Sequence, residues 1–110
     1  VVVVPSAKEV FAEIQERLTA NPEKTKGMNA VYQFDLSGDE GGQWHIAIKD
    51  GTASVKEGQA ESPNVTISMS ASDFVDMATG KLDGTMAFMS GKLKLKGDMG
   101  LAMKLQSLLR

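Results

Sequence analysis

The stretch Gly91-Lys-Leu-Lys-Leu-Lys-Gly-Asp-Met-Gly-Leu-Ala-Met-Lys-Leu-Gln-Ser-Leu-Leu-Arg110 changes periodicity halfway along. Leu93 and Leu95 alternate with Lys92, Lys94 and Lys96, the period of a strand with one buried and one wet face. Gly97 then supplies a turn and Asp98 a helix N-cap, and from Met99 onward apolar residues recur at helical intervals. Leu101, Leu105, Leu108 and Leu109 make one stripe. Met99, Ala102 and Met103 widen it well past the ~100° that a surface helix needs to cover a core. This helix therefore requires a second apolar partner in addition to the core.

Upstream of that stretch, more apolar side chains crowd together. Met69, Phe74, Met77, Leu82, Met86, Phe88 and Met89 fall between a strand and the last helix. The strand is Val65 to Met69, alternating with Thr66 and Ser68. A short helix carries Phe74, Val75, Met77 and Ala78, capped by Ser70 or Ser72 and ended by Gly80. Asp83 caps another, which bears Met86, Phe88 and Met89 and ends at Gly91.

The first half reads as a helix and a meander. Ser6-Ala-Lys-Glu9 is a capping box, and Val10, Phe11, Ile14 and Leu18 form one amphipathic face that ends at Asn21-Pro22. Tyr32, Phe34 and Leu36 alternate with Gln33 and Asp35, and Trp44, Ile46 and Ile48 alternate with His45, Ala47 and Lys49. Asp50-Gly51 is a strong hairpin signal, and Thr52 to Lys56 closes a three-stranded antiparallel meander. Val1 to Val4 is expected to be a loose end. Helices and strands around one sheet define an α+β domain spanning residues 1–110, with its helices on one sheet face.

Composition excludes several function classes. A formal charge of −2 on 110 residues gives no basic field for nucleic acid. Cysteine is absent, which removes disulfides, thiolate metal sites and a cysteine nucleophile, and fits an intracellular compartment. No apolar run approaches the ~20 residues that cross a bilayer. His45 is the single histidine, so a histidine metal cluster is ruled out, and its strand neighbours make it a solvated or edge residue rather than a base. The carboxylates sit in turns or at helix starts, where backbone geometry and the helix dipole account for them. Asn64-Val-Thr66 matches a glycosylation sequon, a short motif that recurs by chance.

Seven methionines stand beside one tryptophan and one tyrosine. Methionine fills irregular cores, and it also suits surfaces that adapt to differently shaped apolar partners. The apolar surplus is either ordinary packing, a cavity for an apolar ligand or a surface for a partner. Lys92, Lys94 and Lys96 either protect a sheet edge or attract phosphates, those of anionic lipid headgroups or of coenzyme A.

At these residues the chain resembles the sterol carrier protein type 2 domain family. The motifs are Thr79-Gly-Lys-Leu82, Ala87-Phe-Met-Ser-Gly-Lys-Leu93 and Lys96-Gly-Asp-Met-Gly-Leu-Ala-Met-Lys-Leu-Gln106. The resemblance implies a five-stranded mixed sheet in order 3-2-1-4-5 with helices on one face and a hydrophobic tunnel between them. It implies a non-enzymatic carrier of long-chain fatty acid, fatty acyl-CoA or sterol, without a cofactor and as a monomer. The tunnel lining it implies is Ile14 and Leu18 of the first helix, Ile46 and Met69 of the sheet, Phe74, Met77 and Met86 of the short helices, and Leu101, Leu105, Leu108 and Leu109 of the last. Gln106 matches a family glutamine that can bond a ligand headgroup. Two departures stand out: Asp83-Gly-Thr85 occupies a stretch where proline is common, and the chain ends Leu-Leu-Arg110 where many eukaryotic members carry a peroxisomal tripeptide. Peroxisomal targeting is therefore unsupported, and the expected location is cytoplasmic, with the peroxisome kept as the alternative. The alternatives are an accessory domain of a multifunctional β-oxidation enzyme that presents acyl-CoA, and an interaction module using its last helix.

Overall fold

The computed structural model describes residues 6–39 and 41–109, the side chains of Gln106 and Ser107 excepted. Val1 to Val4 lie outside the described residues. Helix α1, Ala7–Ala20, begins where the Ser6 hydroxyl accepts the Glu9 N–H at 3.2 Å, and it stops before Pro22, which opens a single 3₁₀ turn at Pro22–Lys24. Strands β1 (Ala30–Ser37), β2 (Gly42–Lys49) and β3 (Thr52–Glu57) form the antiparallel meander. Asp50 and Gly51 both take positive φ, 51° and 80°, as the type I′ turn between β2 and β3 demands.

The chain then crosses back to lay β4 (Val65–Ser70) parallel to β1. Asn64 sets this register: its N–H donates to the Val31 carbonyl at 2.9 Å, and its Oδ1 accepts the Val31 N–H at 2.7 Å. Helices α2 (Ala71–Ala78) and α3 (Gly84–Met89) follow, capped by Ser70 and Asp83. Asp83 thus opens a short helix in the Asp83-Gly-Thr85 stretch. Strand β5 (Leu93–Gly97) pairs antiparallel with β4, and α4 (Met99–Leu109) ends the fold. The sheet order is β3-β2-β1-β4-β5, as expected. Gly97 has φ +115°, and a Cβ there would collide with the Asn64 carbonyl, so glycine is required for β5 to leave the sheet beside β4.

The core lies between the sheet and α1. Val10, Phe11, Ile14 and Leu18 pack on Tyr32, Phe34, Ile46 and Ile67, all buried. Phe11 is stacked between Trp44 and Phe74, with 4.6 Å between ring centroids on either side, while Phe34 meets Phe11 and Phe74 edge-on at 5.4 Å. Such pairs add about 0.5–1.5 kcal/mol each beyond the area they bury. This aromatic cluster fills the space between α1, α2 and the middle of the sheet.

The opposite sheet face is not uniformly wet. Gln33, placed by alternation on the polar side, is only 2% exposed. The connection after β3 covers it: the Ala60 N–H donates to Gln33 Oε1 at 2.7 Å, and Gln33 Nε2 donates to Asp35 Oδ1 at 3.2 Å. Strand β3, a sheet edge, is satisfied from the helix side. Gln15 of α1 accepts the Val55 N–H at 2.7 Å and donates to the Ala53 carbonyl at 3.0 Å, taking the place of a neighbouring strand.

Candidate functional site

Because rings fill the middle of the molecule, open space is left at its other side, beneath the C-terminal helix. A cavity of about 250 Å³ lies there between α2, α3, β5 and α4. Met77 lines it from α2, and Gly84, Thr85 and Phe88 from α3. Leu93 and Leu95 form its floor from β5, and Met99, Ala102, Met103 and Leu105 its wall from α4. Each element contributes through a periodicity legible in the chain. The apolar phase of β5 points in, and the second stripe of α4, Met99, Ala102 and Met103, lines the opening together with Leu105, while Leu108 and Leu109 are buried in the core.

The chemistry of this wall is narrow. Among the described residues none of the lining carries a charge, and Thr85 brings its one hydroxyl. The wall can bury methylenes, at about 0.8 kcal/mol each. His45 is on the opposite sheet face, with Nδ1 3.0 Å from the Gly58 carbonyl. Among the described residues no cluster of histidine and carboxylate side chains is arranged to hold a metal ion. A more open groove of about 480 Å³ at the ends of β1 and β4 mixes Asp35 and Asp73 with Lys92 and Lys94.

Helix α4 is seated by both ends of one residue. The Leu101 N–H donates to Asp98 Oδ1 at 3.1 Å, and the Leu101 carbonyl accepts the Tyr32 hydroxyl at 2.8 Å. Tyr32 is fully buried. Burial, with a smaller contribution from the Asp98 charge, pushes its hydroxyl pKa up to about 12.

Of the lining residues implied by the family resemblance, Met77 and Leu105 line this cavity. Ile14, Leu18, Ile46, Met69, Leu108 and Leu109 are buried in the core cluster, and Phe74 is in the aromatic stack. Leu101 is half-buried with its carbonyl held by Tyr32, and Met86 is exposed on α3. The Gln106 side chain lies outside what is described. Phe88, Leu93, Leu95, Met99, Ala102 and Met103 line the cavity without having been assigned to a lining. The signal was present in the excess width of the last helix and in the inward phase of the last strand.

Comparison with known proteins gives a consistent result. The family model described as the SCP-2 sterol transfer family matches residues 11–110. Hydroxysteroid dehydrogenase-like protein 2 of Xenopus tropicalis is 47% identical over 103 residues, covering 93% of this chain and 24% of that protein. The chain spans about a quarter of the length of the curated relatives it matches. Among solved structures, palmitated SCP2L2 of Aedes aegypti superposes with a TM-score of 0.80 at 27% identity, over 96% of each chain. Sterol carrier protein domain 2 of Helicoverpa armigera does so with a TM-score of 0.73 at 36% identity, over 91% of this chain and 82% of that one.

Proposed function

We propose that this chain, which belongs to the SCP-2 sterol transfer family, is a non-enzymatic lipid carrier that takes the tail of a long-chain fatty acid, fatty acyl-CoA or sterol into the cavity beneath α4. The observation that carries the proposal is the uncharged lining of that cavity, set beside a mouth bordered by methionines. Tail burial supplies the binding energy, and the absence of any charged lining group leaves the headgroup at the mouth. The volume of about 250 Å³ is below the ~300–1,000 Å³ usual for ligand sites, so a long tail requires the walls to give. Met99 and Met103 are suited to this, being unbranched, polarizable and adaptable. The carrier works as a monomer.

Native mass spectrometry of gently purified protein, with displacement of a fluorescent fatty acid, tests the proposal. The expected result is one lipid per chain and micromolar displacement by palmitate. If no lipid co-purifies and none binds at micromolar levels, the carrier function is rejected.

A second reading is favoured by the coverage figures. The curated relatives are about four times longer than this chain and are named as dehydrogenase-like proteins, so the domain is also suited to presenting a lipid or acyl-CoA to a neighbouring catalytic domain. The reading frame upstream of Val1 discriminates: a dehydrogenase, hydratase or thiolase there favours presentation, and a start codon favours a free carrier.

A further inference from the structure

We propose that Met99 and Met103 are a reversible modification site, at which a hydroperoxide converts both thioethers to sulfoxides and so lowers the affinity of the cavity for an apolar tail. The proposal rests on the cavity being a lipid site, and it adds a chemical state that controls how firmly the site holds its ligand. Three observations meet at these two residues.

The first is accessible sulfur. Among the described residues the exposed large hydrophobic side chains are Met86 (63%), Phe88 (46%), Met89 (76%), Met99 (48%) and Met103 (83%). Four of the five are methionines, and all come from α3 and α4. Met69 and Met77 are buried, and Met28 is half-buried. The chain has seven methionines and no cysteine, so thioethers are its whole stock of oxidisable sulfur, and the reachable ones lie on two helices.

The second is position. Met99 and Met103 are four residues apart on α4, hence neighbours on one helix face, and both line the cavity. Met86 and Met89 of α3 are as exposed but are not in the lining.

The third is the apolar wall around them. Leu93, Leu95, Ala102 and Leu105 offer nothing that could pair with a new polar group. A sulfoxide oxygen there either loses its water when a tail is bound or keeps that water in the opening, and both weaken binding.

In the step, the sulfur lone pair attacks the outer oxygen of the hydroperoxide, and an S–O bond forms as the O–O bond breaks. The proton shed by the transferred oxygen passes to the departing one, which leaves as water or an alcohol. Sulfur gives up two electrons and the peroxide takes them. A thiol-dependent sulfoxide reductase reverses the change. The O–O bond has two sources, hydrogen peroxide in solution and a hydroperoxide carried on a bound lipid. Exposure sets the order for the first, so Met103 and Met89 precede Met99. For the second, binding holds the reagent against the wall, so Met99 and Met103 precede Met86 and Met89.

Fluorescent fatty-acid binding by the full chain is measured before and after hydrogen peroxide, and peptide mass spectrometry reads each methionine. Met86, Met89, Met99 and Met103 should gain oxygen ahead of Met69 and Met77, and affinity should fall roughly tenfold. The two methionine sulfoxide reductases, one for each epimer, should restore it in the presence of dithiothreitol. M86L/M89L should lose affinity on oxidation as the parent does, and M99L/M103L should bind equally before and after treatment. Linoleic acid hydroperoxide in place of hydrogen peroxide identifies the source: Met99 and Met103 first assigns the bound lipid, the exposure order assigns solution peroxide, and either supports the site. Unchanged affinity with Met99 and Met103 fully oxidised overturns the site and leaves the carrier intact. A loss that M99L/M103L shares, that M86L/M89L escapes or that the reductases do not reverse overturns it as well. Absence of fatty-acid binding before any oxidation rejects the carrier function itself.

Discussion

The Tyr32 hydroxyl donates to the Leu101 carbonyl across 2.8 Å, linking the buried face of β1 to the first turn of the C-terminal helix. The two residues are 69 positions apart, and this bond is what a fully buried hydroxyl requires to avoid an unsatisfied group. It holds α4 against the sheet on one side while the methionine stripe on its other side faces the cavity.

Replacing Tyr32 with phenylalanine keeps the ring and removes the bond. Stability should fall by about 1 kcal/mol, measured by urea unfolding. Hydrogen exchange should accelerate in α4 ahead of α1, because the change releases the helix and not the core. Uniform acceleration in both helices would place the effect of the bond elsewhere.

Alkaline pH should weaken the same contact. The Tyr32 hydroxyl is raised to about 12 in the fold, mainly by burial, against about 10 in the unfolded chain. Below about pH 10 both states keep the proton, and the stability is undiminished. As pH rises through that range toward 12 the unfolded chain gives up its proton first, so folding becomes less favourable. Unfolding curves collected between about pH 9 and pH 12 should show this loss in the parent chain and a shallower one in Y32F.

Gln15→Ala should cost about 1–3 kcal/mol, since it leaves the Val55 N–H and the Ala53 carbonyl without their partner. Strand β3 would also offer an open edge. Light scattering on warming should therefore show association at lower temperature than in the parent, and a variant that melts and associates like the parent refutes the protective role of Gln15.

Two substitutions separate the cavity from the core. Ala102→Phe places a ring in the opening from the α4 wall, and fatty-acid affinity should drop at least tenfold, roughly 1.4 kcal/mol, with the fold retained. Ile14→Val trims a buried residue outside the cavity lining and should cost about 0.5–1.5 kcal/mol of stability without changing affinity. Titration with a fluorescent fatty acid, alongside circular dichroism, reads both, and the opposite pattern would return the lipid site to the space around α1.

Much of the architecture was legible because its determinants are local. Ser6, Ser70, Asp83 and Asp98 each accept a backbone N–H where their spacing placed a cap, and Asp50-Gly51 forms the turn its residue types require. Strand phases followed from alternation, and the sheet order followed from the family motifs in the last third of the chain. The buried state of Gln33 was not legible, since alternation assigns a residue to a face and does not say which loop will cover that face.

The amino-acid sequence by itself determined that the last helix is too widely apolar for one core and that a strand with an inward leucine phase precedes it. Only the tertiary structure decided where the space left over would be. Phe11, Phe34, Trp44 and Phe74 come from four different elements, and no periodicity within one element reports that their rings close on each other. Ile14, Leu18 and Ile46 are buried in the same core, and the cavity is lined instead by Met77, Leu93, Leu95 and the second stripe of α4. The physical reason is dense packing: side chains converging from distant parts of the chain occupy space exclusively, and a pattern along the chain specifies which face is apolar without specifying what lies against it.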